Sequence, residues 1–359
     1  MRYIRALMLG ITLMALVVAC GSYALLREVR ATGGSSNVPV EVTIAPGATT
    51  SDIATILARE GLISQPLLFT SIVRAQDLDG KLQAGRYLLT PSMTMNEILI
   101  NLQFSRVEEV QFTVPEGLRL EEIAAIVGET GVVSEQAFLD VISDAEPFKA
   151  NYFLLSSLPP NASLEGYLYP DTYRVSTTAS AEEVASIMLD RFSQLYLENV
   201  DQVVRIPNVN VHQIVTMASV VQRESARIDE MPLIGAVFWN RLKPENVAET
   251  GNGRLQADAT VQYALGFSEE EQTWWRKNLT ATDLLVDSPF NTRERPGLPP
   301  GPIAAPGLDA LIAAARPDES DNYLYFVANC ALDGTHKFAS SYPEFQEYER
   351  EWLACSGGS

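Results

Sequence analysis

VTIAPGATTSDIATILAREGLIS, running from Val42 to Ser64, returns in altered form as FTVPEGLRLEEIAAIVGETGVVS, from Phe112 to Ser134. Residue n of the first stretch aligns with residue n + 70 of the second without a gap: Thr43 with Thr113, Gly47 with Gly117, Ile53-Ala54 with Ile123-Ala124, Gly61 with Gly131. Both copies read as a short strand, a Pro/Gly turn and a helix stopped by glycine. Between them, Leu82 to Leu89 predicts a further strand and Met95 to Leu102 a helix. Strands and helices alternate irregularly, so the expected class is α+β: one unit over 39–108, and a larger one over 109–359 that contains the second copy at 112–134.

Toward the amino terminus, ATGGSSNV at 31–38 is small and polar, a flexible linker. Before it, Arg2 and Arg5 precede a charge-free run from Ala6 to Leu26, roughly the 20 residues that a membrane-spanning helix needs. Residues 1–30 therefore read as a transmembrane anchor, with the amino terminus cytoplasmic and the rest exported. Val17-Val18-Ala19-Cys20 carries the alternative, a lipoprotein box with Cys20 as the lipidated residue.

A chain of 359 residues with 47% hydrophobic composition is long enough for more than one core and too apolar for general disorder. Its net charge of -19 repels phosphate backbones, so nucleic acid is not an expected partner. The histidines His212 and His336 and the cysteines Cys20, Cys330 and Cys355 fit no zinc spacing, and no metal is expected. Outside the cytoplasm, Cys330 and Cys355 are free to form a disulfide; two unpaired thiols are the other reading.

Downstream of the second copy, VHQIVTMASVVQRESAR (Val211 to Arg227) places Ile214, Met217, Ala218 and Val221 on one helical face, and the same spacing leads on to Glu224. A carboxylate turned toward an apolar face loses hydration, which raises its pKa and suits a proton donor near neutral pH. The plainer reading is a solvated glutamate paired with Arg223 or Arg227.

Other segments flank this helix. LEGYLYPDTYRV (Leu164 to Val175) predicts a strand or extended loop, in which Glu165, Asp171 and the tyrosines either meet sugars or close a core edge. Residues 180–200 and Ile234 to Leu242 predict helices. LQADATVQYALG (Leu255 to Gly266) supplies Gln256, Asp258 and Tyr263, with Asp258 in the place of an N-cap. Ser288 to Gly307 is stiff with Pro and Gly, a groove wall or a surface connector. Trp274 and Trp275 suit sugar contact or burial. A helix at Leu308 to Ala315, strands at Tyr323 to Ala328 and Thr335 to Phe338, and a helix at Phe345 to Leu353 complete the chain.

EGYLYPDTY, ASVVQRES followed by FWNRL, LQADATVQYALG and GLPPGPIAAPG stand in the order and at the separations of the endolytic murein transglycosylases, the MltG or YceG-like family, which the chain resembles over nearly its full length. The strand, turn and helix at 42–64 also resemble the LysM-like modules that hold N-acetylated glycans, with a plain scaffold unit as the alternative. The resemblance implies an N-terminal membrane anchor, a LysM-like module at 39–108, and a mixed α/β catalytic domain at 109–359 with the catalytic Glu224 on a helix. It implies that Ser225 completes a Glu-Ser signature, and that Gln256, Asp258, Tyr263 and Asn291 bind substrate; Glu165 joins them from the aromatic segment. Arg293 departs from the family's Tyr after Asn-Thr, and Pro343 stands near the place of a second histidine.

The implied reaction cuts the MurNAc-GlcNAc bond of nascent peptidoglycan strands, leaving 1,6-anhydroMurNAc ends without metal or cofactor, on the outer face of the cell membrane and beside peptidoglycan synthases. Glu224 would act first as acid and then as base, where ordinary glycosidases use two carboxylates. A muramidase-type hydrolase using Asp258, Asp171 or Glu165 is one competitor, and a non-catalytic peptidoglycan-binding anchor another. Lys81, Lys149, Lys243, Lys277 and Lys337 have no recognisable Schiff-base setting, which argues against pyridoxal-phosphate chemistry.

Overall fold

A computed structural model describes residues 34, 36–104, 109–331 and 333–356. The anchor expected at 1–30, and Cys20 with it, lies outside the described residues; among the described ones no helix is long and apolar enough to cross a membrane. The chain divides into two compact units, one ending at Glu108 and the other beginning at Glu109.

The first unit runs β1 (Val40–Ile44), α1 (Thr50–Arg59), α2 (Pro66–Ala75), β2 (Gly85–Leu89) and α3 (Met95–Gln103). β1 and β2 pair antiparallel with Val42 opposite Tyr87. Thr49 starts α1 with a capping box: its hydroxyl accepts the Asp52 N–H, and the Asp52 carboxylate accepts the Thr49 N–H. Leu57, Leu62, Phe69, Val73, Ile98 and Leu99 close a core under the hairpin.

The second unit opens with the same order of elements: β3 (Glu109–Thr113), α4 (Leu120–Glu129), α5 (Glu135–Ile142) and, after a passage containing the single turn α6 (Glu146–Lys149), β4 (Thr172–Ser176). Phe112 faces Tyr173 across the pair, the counterpart of Val42 facing Tyr87. In both hairpins the tyrosine hydroxyl donates to the carbonyl four residues earlier, Tyr87 to Gln83 at 2.6 Å and Tyr173 to Tyr169 at 2.5 Å. The repeat is therefore a whole strand-helix-helix-strand unit. Its last strand escapes a gapless alignment because the passage before β4 is longer than the one before β2. Gly47 (φ 77°) and Gly117 (φ 79°) make the same left-handed turn, which is why glycine recurs there. The copies differ at the next step: Arg119 takes the place of Thr49 and has no hydroxyl to cap α4. The reciprocal half of the box survives, with Arg119 N–H donating to Glu122 Oε2 at 3.1 Å, and a further acceptor comes from elsewhere, as Leu120 N–H donates to Glu165 Oε2 at 3.3 Å.

Behind this repeat lie α7 (Ala181–Leu195), α8 (Val211–Glu224), α9 (Met231–Leu242), α10 (Asp258–Leu265), α11 (Leu308–Ala315), the hairpin β5 (Tyr325–Ala328) and β6 (His336–Ala339), and α12 (Tyr342–Cys355). Helix α8 corrects the expectation of one apolar stripe: every residue from Ile214 to Val221 is buried. Its polar members are tolerated because they are satisfied. Thr216 donates to His212 O, and Ser219 donates to Thr216 O while accepting the Ile303 N–H at 3.0 Å. Residues 302–307 are likewise buried rather than a surface connector. Gly117 N–H donates to Ala305 O and Ala305 N–H to Leu118 O, both at 2.8 Å, so the Pro/Gly segment straps the second repeat's turn to the core. Cys330, just after β5, forms a disulfide with Cys355 at the end of α12, which decides between the two readings of the thiols.

Candidate active site

Glu224 is the last residue of α8, and its Oε1 accepts the N–H of Ala259 at 3.0 Å. Ala259 stands in the first turn of α10, so the carboxyl meets the positive end of that helix. Burial is nevertheless the largest influence and pushes the Glu224 carboxyl from 4.5 up to about 7. The neighbouring Asp258 adds to the rise, while the Ala259 hydrogen bond and the cations of Arg293 and Arg223 pull it back. The residue as a whole keeps some surface exposure although its carboxyl is closely surrounded. Desolvation and access thus coexist at one group.

Two arginines close the surroundings. Arg223 donates to Gly117 O at 3.2 Å and lies over the Trp275 ring at 3.7 Å, whose indole N–H donates to Glu122. Arg119 is held between the rings of Tyr263 (4.2 Å) and Trp274 (4.4 Å) and forks onto Glu121 with two bonds of 3.1 Å. Both tryptophans are thus packed by guanidinium groups. Sequence spacing had no means of finding these stacks, since the partners lie far apart along the chain.

The remaining expected site residues separate into two groups. Asp258 and Ser225 stand beside the acid. Asp258 is the first residue of α10 rather than its N-cap, a place held by Ala257; it is exposed, and Arg293 binds it at 2.5 Å. The departure at 293 therefore enters the site as the partner of Asp258. Ser225 follows Glu224 directly, with its Oγ buried and without a hydrogen-bond partner. Gln256 is exposed in a left-handed conformation (φ 58°) and accepts from Arg241.

Asn291, Tyr263 and Glu165 are held inward. Asn291 is fully buried; its amide donates to Leu284 O and Val286 O and its oxygen accepts the Arg293 N–H. Those bonds tie the side chain to the loop that carries Arg293. Tyr263 donates its hydroxyl to Glu165 Oε2 at 3.3 Å. Glu165 is 4% exposed, its carboxyl turned to Tyr263 and the start of α4. Burial, reinforced by Glu121, pushes its carboxyl from 4.5 up to about 8 against the pull of Leu120 N–H, Arg119 and Tyr263.

From Asp258 a cleft of about 540 Å³ opens between Gln262, Lys277, Asn278, Leu279 and Leu284. Asp171, another candidate carboxylate, is bound to Arg191 at 2.7 Å. Among the described residues no group of His, Cys, Asp and Glu is arranged to hold a metal ion.

The model of the YceG-like family matches residues 42–351. The endolytic murein transglycosylase of Streptococcus pneumoniae is 32% identical over 314 residues, which are 81% of this chain and 54% of that protein. That of Bacillus subtilis is 30% identical over 332 residues, 89% of this chain and 86% of its own. The chain spans about half the length of the pneumococcal relatives it matches. The crystal structure of a YceG-like protein from Listeria monocytogenes has a TM-score of 0.55 at 32% identity, covering 87% of this chain and 99% of the other.

Proposed function

This chain belongs to the YceG-like family, and from that premise we propose that it is an endolytic lytic transglycosylase of peptidoglycan glycan strands. The observation that carries the reading is the seat of Glu224: a carboxyl raised to about 7 by burial and hydrogen-bonded by the first turn of α10. Near neutral pH such a group exists in both states, so it can give a proton and take one back. It protonates the oxygen leaving C1 of N-acetylmuramic acid. The C6 hydroxyl of the same sugar then attacks C1, and the Glu224 carboxylate receives the hydroxyl proton. The products are a 1,6-anhydroMurNAc end and a free GlcNAc hydroxyl, with no water consumed. Arg223 and Arg293 stabilise the carboxylate in the interval.

A second reading rests on Asp258. Of the carboxylates weighed as activators of water, it alone is both exposed and next to the acid; Glu165 is buried and Asp171 is held by Arg191. A muramidase using Glu224 and Asp258 would leave reducing ends. Mass spectrometry of digested glycan strands separates the two: anhydromuramyl ends support the transglycosylase, reducing ends the hydrolase. Full cleavage by Glu224→Gln would remove both.

The first unit is read as a LysM-like glycan-holding module, supported by its strand-helix-helix-strand order and a hollow of about 350 Å³ lined by Thr49, Thr50, Ser51, Ile53, Asp79 and Leu82. Residues 1–30 are read as the membrane anchor, which places the remainder outside the cytoplasm and within reach of nascent strands and their synthases. The Cys330–Cys355 disulfide suits that oxidising side. Loss of membrane association on deleting 1–30 tests the anchor, and Cys20→Ser distinguishes lipidation from a spanning helix.

A further inference from the structure

Glu165 presents a carboxyl for which the mechanism above has no use. It lies on the passage leading into β4, 4% exposed, and bridges the start of α4 to α10, the helix that reaches Glu224. Its Oε2 accepts from Leu120 N–H at the start of α4 and from the Tyr263 hydroxyl on α10, each at 3.3 Å. Its Oε1 is buried without any partner. Tyr263 lies one helical turn beyond Ala259, the residue whose N–H reaches Glu224. The same tyrosine is covered by Arg119, which also donates to Tyr263 O at 3.1 Å. Arg119 is itself taken up by the fork of Glu121, so the cation nearest Glu165 is already neutralised.

The internal repeat supplies a reference point. In the first copy Thr49 caps its own helix with its hydroxyl. In the second copy the hydroxyl is gone and Arg119 reaches α10 instead; the Arg119 N–H still donates to Glu122, and Glu165 adds an acceptor for the Leu120 N–H. The adjoining Gly117 carbonyl accepts from Arg223. The second copy has thus turned its strand-to-helix corner into a mounting for the acid.

We propose that Glu165 is a positioning residue for Glu224: it joins the start of α4 to α10 through Tyr263, and so holds the Ala259 N–H on the Glu224 carboxyl. This rests on the reading of Glu224 as the acid. Both bonds end on an acceptor oxygen and favour the charged carboxyl, whereas burial and the neighbouring Glu121 favour the neutral one and prevail. The raised position of its carboxyl, at about 8, agrees with a neutral form at working pH.

The test titrates the full chain by infrared spectroscopy alongside cleavage of glycan strands. A protonated-carboxyl band is expected to vanish near pH 8 in the wild type and in Glu224→Gln, and to be missing from Glu165→Gln. A second band, belonging to Glu224, should move to higher pH in Glu165→Ala, because the Ala259 hydrogen bond that lowers it is weakened. Tyr263→Phe, which keeps the ring and its arginine, should move the Glu224 band the same way and guards against a misfolded alanine variant. In cleavage, Glu165→Ala should lower kcat about tenfold with KM little changed. Glu165→Gln, the isostere of the neutral acid, should recover most of that loss. An unmoved Glu224 band in Glu165→Ala and Tyr263→Phe, or a Glu165→Gln no better than Glu165→Ala, overturns the proposal. If the wild type cleaves nothing, the transglycosylase reading falls, and the two bands still decide the coupling of Glu165 to Glu224.

Discussion

Glu224 at the carboxyl end of one helix accepts the N–H of Ala259 in the first turn of another, at 3.0 Å. The acid is therefore aimed by backbone, and its strength is set by two opposed forces. Burial raises its pKa; the start of α10 and two arginines lower it.

Replacing the acid should abolish cleavage and stabilise the fold. A carboxyl raised from 4.5 to about 7 on folding binds its proton more tightly in the folded chain. Wild-type stability therefore declines as pH rises through that window, by an upper bound on the order of 3 kcal/mol. Glu224→Gln removes the cost. Thermal melts of the two proteins should coincide near pH 4.5, diverge in favour of the variant up to pH 7, and run parallel above it. Melts that coincide at pH 8 would place the carboxyl in water.

Arg293→Ala should shift the pH profile. The cation both neutralises Asp258 and lowers the Glu224 carboxyl directly. Without it Glu224 holds its proton to higher pH, so the alkaline limb of cleavage should move upward by roughly half a pH unit. A profile that moves down instead would assign Arg293 another role.

Gly166 takes a left-handed φ of 81°, and a Cβ on it would lie 2.5 Å from the Pro302 Cβ. The Pro/Gly strap passes too close for any side chain. Gly166→Ala should cost about 3 kcal/mol and lower the melting temperature by roughly 6–12 °C. Gly47→Ala, with a similar φ but open space around it, should cost less.

The disulfide between Cys330 and Cys355 closes a separation of 25 residues that contains β6 and α12. Its removal should release about 3 kcal/mol of chain restraint. A reductant should lower the melting temperature of the wild type and leave that of the Cys330→Ser, Cys355→Ser double variant unchanged.

Much of the architecture follows from local pattern. Glycines at 47, 61, 117 and 131 punctuate the two copies because the turns and helix ends there need positive φ, and such needs are written in single residues. Leu308 to Ala315 forms a helix over the predicted span, and the α8 periodicity carries Glu224 to a buried seat. The motifs likewise marked the segments that converge on the acid.

What only the folded chain decided are contacts between segments remote in sequence. Periodicity suggested one wet side for α8, whereas α9, α11 and the Pro/Gly strap bury its middle, Ile214 to Val221, on every side, and backbone groups satisfy Thr216 and Ser219. The resemblance pointed to Asn291, and the aromatic segment to Glu165, as sugar contacts; the fold sets both side chains inward, where each answers backbone groups that burial had stripped of water. Residue order by itself therefore determined the elements and the repeat, and singled out Glu224 as the candidate acid. Tertiary packing decided which polar groups face the cleft and which hold it in shape, because a side chain's burial depends on surfaces contributed by other parts of the chain.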